Sequence, residues 1–143
     1  MDNKQRVCAY GLIIKDGKIL IVQRSQKDTH PNLWELPGGG IEFGEHPKDT
    51  VLRETYEETG LKVKVKRPLT IISQVDIHKN YTHNVIRIIY ECSLVDKNSQ
   101  VNLSNEHKNY KWLSINDSSI RSHSDFLSAL ADELTSFGDI NFS

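Results

Sequence analysis

Two cysteines, Cys8 and Cys92, are all that this 143-residue chain contains. That number excludes a disulfide framework and a cysteine-rich zinc site. Each lies in an apolar run, so both are expected to be buried, reduced thiols. Long hydrophobic runs are missing too. Nothing approaches the roughly 20 residues that span a bilayer, and the polar stretch Met1 to Arg6 leads into no apolar core of signal-peptide type. The expectation is a cytoplasmic protein with no membrane partner. An excess of one charge sign is also absent. Lys and Arg total 18 against 19 Asp and Glu, for a formal net charge of -1. Strongly basic nucleic-acid binders look different, so no long nucleic acid is expected as a partner. There is no repeat, low-complexity tract or linker. The length suits one domain, residues 1–143, large enough to bury a core without staples.

What is present is a run of β-rich segments interrupted by one helix. Val7 to Ile14 and Lys18 to Arg24 flank Asp16-Gly17 and read as a hairpin. Ser25 to Asn32 reads as a polar loop and Leu33 to Leu36 as a short strand. Pro37-Gly38-Gly39-Gly40 is expected to break regular structure. His46 to Thr59 reads as a helix, with Pro47 in its first turn and Gly60 at its end. Leu61 to Ile77 and Asn84 to Leu94 are strand-like, and Asp76 to His83 between them reads as a flexible loop. Tyr110 to Ile115 suits a short strand. Ser122 or Ser124 caps a last helix to about Ser136, with Phe126, Leu127, Leu130 and Leu134 on its apolar face and Gly138 ending it. The order predicts an α+β fold, a mixed sheet covered by helices.

The chemistry concentrates between Gly38 and Leu61. On a helix, Glu54, Glu57 and Glu58 fall within an arc of about 100°. Leu52, Thr55, Tyr56 and Thr59 fall on the opposite side, where a sheet is expected. Three acids on one face repel each other and cost a helix a few tenths of a kcal/mol per pair. Stability alone gives no reason to gather them; a hard divalent cation does, since magnesium takes carboxylate oxygens and keeps places for substrate phosphate. Arg53 lies one turn before Glu57 and is placed to orient its carboxylate. Glu45, just ahead of the helix, is a partner for Arg53. The three glycines let backbone come close to a metal or a phosphate.

Gly39, Glu45 and the run Arg53-Glu54-Thr55-Tyr56-Glu57-Glu58-Thr59-Gly60-Leu61 resemble the Nudix box at every fixed spacing, and Leu36-Pro37-Gly38-Gly39 resembles its lead-in. Thr55 departs from the pattern, where an aliphatic residue is usual; a small stability cost is expected. The resemblance implies a mixed β-sheet sandwiched between helices. It implies that Glu54, Glu57, Glu58 and the Gly38 carbonyl hold Mg2+ or Mn2+, with Arg53 and Glu45 in support. Glu106, six residues before Trp112, is similar to the extra acid that members add from a later loop. The implied reaction is metal-assisted attack of water on a diphosphate. Glu54 is the carried-over general base, while His78, His83, Glu106 and His107 stand in loops that reach toward the site.

The substrate is read less directly. Arg24 is a candidate for phosphate, Tyr81 for stacking on a base and His123 for reading one. Trp34 and Trp112 are expected in the core. Ser73-Gln74-Val75-Asp76 lacks the array of the NADH-cleaving members, and Asp76-Ile77-His78 lacks the proline of the ADP-ribose members. Tyr81 comes late for the dinucleoside polyphosphate group. Elimination leaves nucleoside triphosphates, oxidised dNTPs among them, cut to monophosphate and pyrophosphate. The alternatives are ADP-ribose or another nucleoside diphosphate derivative, the 5′ end of RNA, or a ligand-binding module without catalysis.

Overall fold

The computed structural model describes residues 2–136. Its centre is the apolar run that begins the chain. Cys8 to Ile13 is buried at every position, as expected for a strand covered on both faces. Cys8, Tyr10 and Leu12 enter one hydrophobic cluster. Ala9 and Ile13 enter another on the opposite face.

Seven strands and three helices form among the described residues: β1 (Asp2–Lys15), β2 (Lys18–Arg24), β3 (Trp34–Glu35), β4 (Gly38–Gly40), α1 (Pro47–Thr59), β5 (Val63–Ile77), β6 (Tyr81–Leu94), β7 (His107–Ser114), α2 (Ile120–His123) and α3 (Asp125–Ser136). The sheet runs β3-β2-β1-β6-β5, with β4 paired to β1 and β7 to β2. β1 and β6 are parallel over a long register, Asp2↔Tyr81 to Ile14↔Ser93. The other pairs are antiparallel, so the sheet is mixed.

β1 and β2 pair only beside their turn, at Ile14↔Ile19 and Lys15↔Lys18. Beyond that point they diverge. β4 takes the free edge of β1 through Cys8↔Gly40, Ala9↔Gly39 and Tyr10↔Gly38, while β3 takes β2. The segment carrying the glycines is thereby threaded into the split of the sheet. Helix α1 covers one face through Val51, and α3 covers the other through Phe126, Leu127 and Leu130. This is the helix–sheet–helix sandwich the sequence implies.

Several expectations need correction. Gly38–Gly40 does not break regular structure; it is strand β4. Gly38 shows why glycine is needed there: with φ at +153°, an added Cβ would lie 2.3 Å from the Ala9 carbonyl oxygen. Asp76 to His83 is not a loop, because β5 runs to Ile77 and β6 starts at Tyr81. Strand β1 begins at Asp2, five residues before the apolar run, since the parallel edge of β6 gives its polar start a partner. On α1, Thr55 and Thr59 are buried as expected, but Leu52 and Tyr56 are exposed and Glu58 is buried at 3%. The packing face is rotated toward the acids. Ser124 caps α3, its hydroxyl accepting from the Leu127 amide at 3.1 Å; Ser122 is taken up by α2. The expected stop at Gly138 lies outside the described residues, as does Met1. Cys8 and Cys92 are buried and free.

Candidate active site

Helix α1 brings the acids to β4. His46 caps its start by accepting from the Lys48 amide, and Gly60 ends it in the left-handed conformation at φ 72°. Two turns between these fixed ends carry Arg53, Glu54, Glu57 and Glu58.

Arg53 organises the group. Its Nε and Nη2 hold the two oxygens of Glu45 at 2.8 and 3.0 Å. Its Nη1 donates to Glu54 at 2.8 Å and to Glu57 at 3.4 Å. The guanidinium thus binds the pre-helix acid as a fork and still orients two helix carboxylates. The Glu45 carboxyl is held down to about 2 by hydrogen bonds from Arg53 and Thr50. Glu54 behaves oppositely. Burial raises its pKa, and the charges of Glu57 and Glu106 add to that against the pull of Arg53.

Glu58 lies deeper. Its Oε2 accepts from the Gly38 amide at 2.8 Å. Burial first, then the neighbouring Glu35, raises its pKa well above the usual range, with Glu54 and Glu106 adding. Glu106 is exposed, yet its charge is felt by both Glu54 and Glu58. Gly39 presses on the same group: a Cβ there would lie 2.9 Å from the Glu54 carboxyl carbon. Strand β4 is therefore in close contact with two of the acids.

Beneath this face sits a buried polar cluster. Arg24 holds Glu35 by a fork, Nε and Nη2 at 2.8 and 2.9 Å. His107 Nε2 lies 3.0 Å from Glu35 and 3.9 Å from Glu58. The carboxylate can only accept, so the imidazole donates through Nε2; its buried Nδ1 has no hydrogen-bond partner among the described residues. Burial pushes the Glu35 carboxyl up, but hydrogen bonds from His107 and Arg24 outweigh it and hold the pKa below the usual value. Two of the three guanidinium nitrogens of Arg24 are thus committed to Glu35, and the third to Asp28 at 3.2 Å. This limits what it offers a phosphate.

On the α3 side a groove of about 920 Å³ opens over the sheet. Arg24, Tyr81 and His123 all line it, together with Arg6, Tyr10, Arg87 and Phe126. Tyr81 stacks on His78 at 4.4 Å and lies under the Lys4 ammonium. His123 meets the edge of Trp34, and its Nε2 is 3.2 Å from Lys111 Nζ. His78 and His83 therefore gather with Tyr81 at the β5–β6 turn, while His107 is buried on Glu35.

Sequence reasoning passed over Glu35 and Arg87. The signal for both was a lone charge inside an apolar strand, Trp34-Glu35-Leu36 and Val85-Ile86-Arg87-Ile88. A buried charge persists only with partners or a task.

The donor set fits a hard divalent cation. It consists of oxygens, and three to four acids meet one arginine, so the fully ionised state lacks compensation. Burial first, and the neighbouring acids after it, make both Glu54 and Glu58 resist ionisation. A cation that accepts carboxylate oxygens removes the conflict.

The NUDIX domain model matches residues 3–132. A MutT-like protein of Streptomyces ambofaciens is 31% identical over 133 residues, 92% of this chain and 79% of that protein. Nucleoside triphosphatase NudI of Escherichia fergusonii is 29% identical over 123 residues, 80% of this chain and 85% of that one. Several other curated relatives are longer, and the chain spans 45% to 65% of their length. Among solved structures, the MutT protein from Methanosarcina mazei Go1 superposes with a TM-score of 0.78 at 26% identity, covering 96% of this chain and 95% of that one.

Proposed function

The chain belongs to the Nudix family and is a Nudix hydrolase, and from that premise we propose that it converts nucleoside triphosphates to monophosphate and pyrophosphate with Mg2+ or Mn2+. The observation that carries the reading is an acid face and a groove set against neighbouring strands of one sheet. An oxygen-rich acid face, Glu54, Glu57 and Glu58 with Glu106, adjoins β4, and a groove of nucleotide size lies beside β1 and β6. The similarity to a nucleoside triphosphatase over most of both chains supports triphosphates.

A bound divalent cation supplies charge neutralisation for substrate oxygens and a more acidic water. Glu54, Glu57, Glu58, the Gly38 carbonyl and Glu106 would hold it. The residues then divide the remaining work. Arg53, locked to Glu45, keeps the Glu54 and Glu57 carboxylates in place. Glu54 stands as the group that takes a proton from the attacking water, its raised pKa bringing it nearer the range useful for that task. The Gly38 amide fixes Glu58. Arg6 and the aromatic rings of the groove hold the nucleotide. Residues 1–143 act as one catalytic domain. Cytoplasmic residence belongs to the same reading, supported by two free, buried thiols.

Product analysis tests this. With Mg2+, canonical dNTPs should give monophosphate and pyrophosphate. Orthophosphate as the first product would overturn the bond assignment. A strong preference for ADP-ribose over every triphosphate would overturn the substrate class and leave the family intact.

A further inference from the structure

From the floor of the groove we infer that Arg87 is a specificity residue, reading two adjacent coplanar hydrogen-bond acceptors on the nucleobase, the O6/N7 edge of a guanine. The inference rests on the nucleotide reading above and sharpens it.

Arg87 stands on β6, paired in register with Cys8 of β1 and Ile72 of β5, so it rises from the middle of the sheet. It is only 8% exposed and lines the groove. Neither a strand nor an apolar core needs a guanidinium there. Its carbon centre lies 4.7 Å from the Phe126 ring centroid and 5.9 Å from that of Tyr10. The rings stabilise the cation but accept none of its in-plane N–H groups. Nη1 is bound, donating to Gln74 at 2.8 Å. Nε is buried and has no hydrogen-bond partner among the described residues. A buried donor left this way is costly, and a ligand acceptor removes the cost.

Nε belongs to the side-on fork that a guanidinium forms with Nη2. This protein uses that same fork twice, Arg24 on Glu35 and Arg53 on Glu45. On Arg87, with Nη1 held by Gln74, the fork is the edge left without a protein acceptor among the described residues. It requires two acceptors side by side in one plane. A guanine presents these as O6 and N7; an adenine offers N7 beside an amino donor. In 8-oxoguanine N7 carries a proton, so that edge no longer matches. A phosphate oxygen pair also fits a fork. However, Arg87 is flanked by Phe126 and Tyr10 on the α3 face, and the acid face that takes the phosphates lies against β4 from the α1 side. A flat base matches the aromatic surroundings.

The test measures kcat and KM with Mg2+ for dGTP, dATP and 8-oxo-dGTP in the wild type, Arg87→Lys and Arg87→Met. The wild type should favour dGTP over both others by about tenfold or more in kcat/KM, the scale of one bidentate base contact. Both variants should lose that preference through a raised KM for dGTP, with kcat changed far less. Lysine keeps the charge but has no fork, so it should not rescue. If the methionine variant fails to fold, the lysine variant decides alone. An unchanged base preference in Arg87→Lys overturns the inference. So does a loss of efficiency that is equal for all three bases, which would assign Arg87 to phosphate. Absence of turnover on every nucleotide would sink the triphosphate reading, and this inference with it.

Discussion

At the scale of single residues, the acids of α1 differ more than their shared spacing suggests. Glu57 is largely exposed and, among the described residues, its carboxylate pairs with Arg53. Glu54 is half-enclosed by Arg53 and Gly39, and Glu58 is buried on the Gly38 amide. Glu57→Gln and Glu54→Gln should each lower kcat by about a hundredfold or more, the scale of losing a charge-stabilising or acid–base group. Both should stay folded, which circular dichroism checks. Near-normal rates in both folded variants would remove these residues from the chemistry. Glu45 has another role. Its folded pKa of about 2 lies below an ordinary Glu value of about 4.3. A depressed carboxyl contributes stability that is present above the unfolded pKa and is lost as pH falls through the folded one. Glu45→Gln should therefore melt below the wild type at neutral pH, with the gap closing between about pH 4.3 and pH 2. A gap that persists below pH 2 would point to packing instead. The spacing of Arg53, Glu45 and the three acids was readable because helix geometry converts spacing into direction. The depth of Glu58 was not, because burial depends on how α1 is rolled on the sheet.

At the scale of elements, the sequence announced β2, α1, β6 and α3 through apolar period and capping residues. It concealed β4. Three consecutive glycines have no side-chain period to read, and the strand exists only because β1 and β2 diverge and leave an edge open. The β5–β6 turn was concealed for a related reason. Its polar residues face solvent on both strands, so pairing is held by backbone and by Tyr81 on His78 without an apolar pattern. The consequence for function lies in β4. A methyl group on Gly39 would meet the Glu54 carboxyl carbon at 2.9 Å. That contact is with a side-chain end, so the fold can yield and the carboxylate moves. Gly39→Ala should cost about tenfold or more in kcat, in keeping with the sensitivity of catalysis to displacements below 1 Å. Its melting temperature should change little. Gly38→Ala meets backbone at 2.3 Å and should instead damage folding. Equal effects of the two substitutions on stability would contradict this division between a site glycine and a structural one.

At the scale of the whole molecule, the site is a charge conflict that the fold maintains. α1 carries Glu54 and Glu58 into contact with β4, β3 adds Glu35 and the loop before β7 adds Glu106, so three segments converge their acids on β4. Arg53 and Arg24 offset part of this, the latter divided between Glu35 and Asp28. Burial and neighbouring acids raise the pKa of Glu58 and of Glu54. A carboxyl raised in the folded state binds more protons there than in the unfolded chain, so metal-free stability is highest below the unfolded pKa and declines as pH rises through the folded one. A divalent cation binds the ionised form and stabilises the folded state by mass action. The two effects oppose each other along the pH axis. The rise in melting temperature on adding Mg2+ should therefore be small near about pH 5 and larger near about pH 8, where ordinary carboxyls are long ionised. Glu57→Gln should shrink the rise at both values, and EDTA should abolish turnover together with the stabilisation. A Mg2+ shift that is equal at both pH values would mean the cation binds elsewhere than at these acids. Full turnover in EDTA would mean that the gathered carboxylates serve some other end.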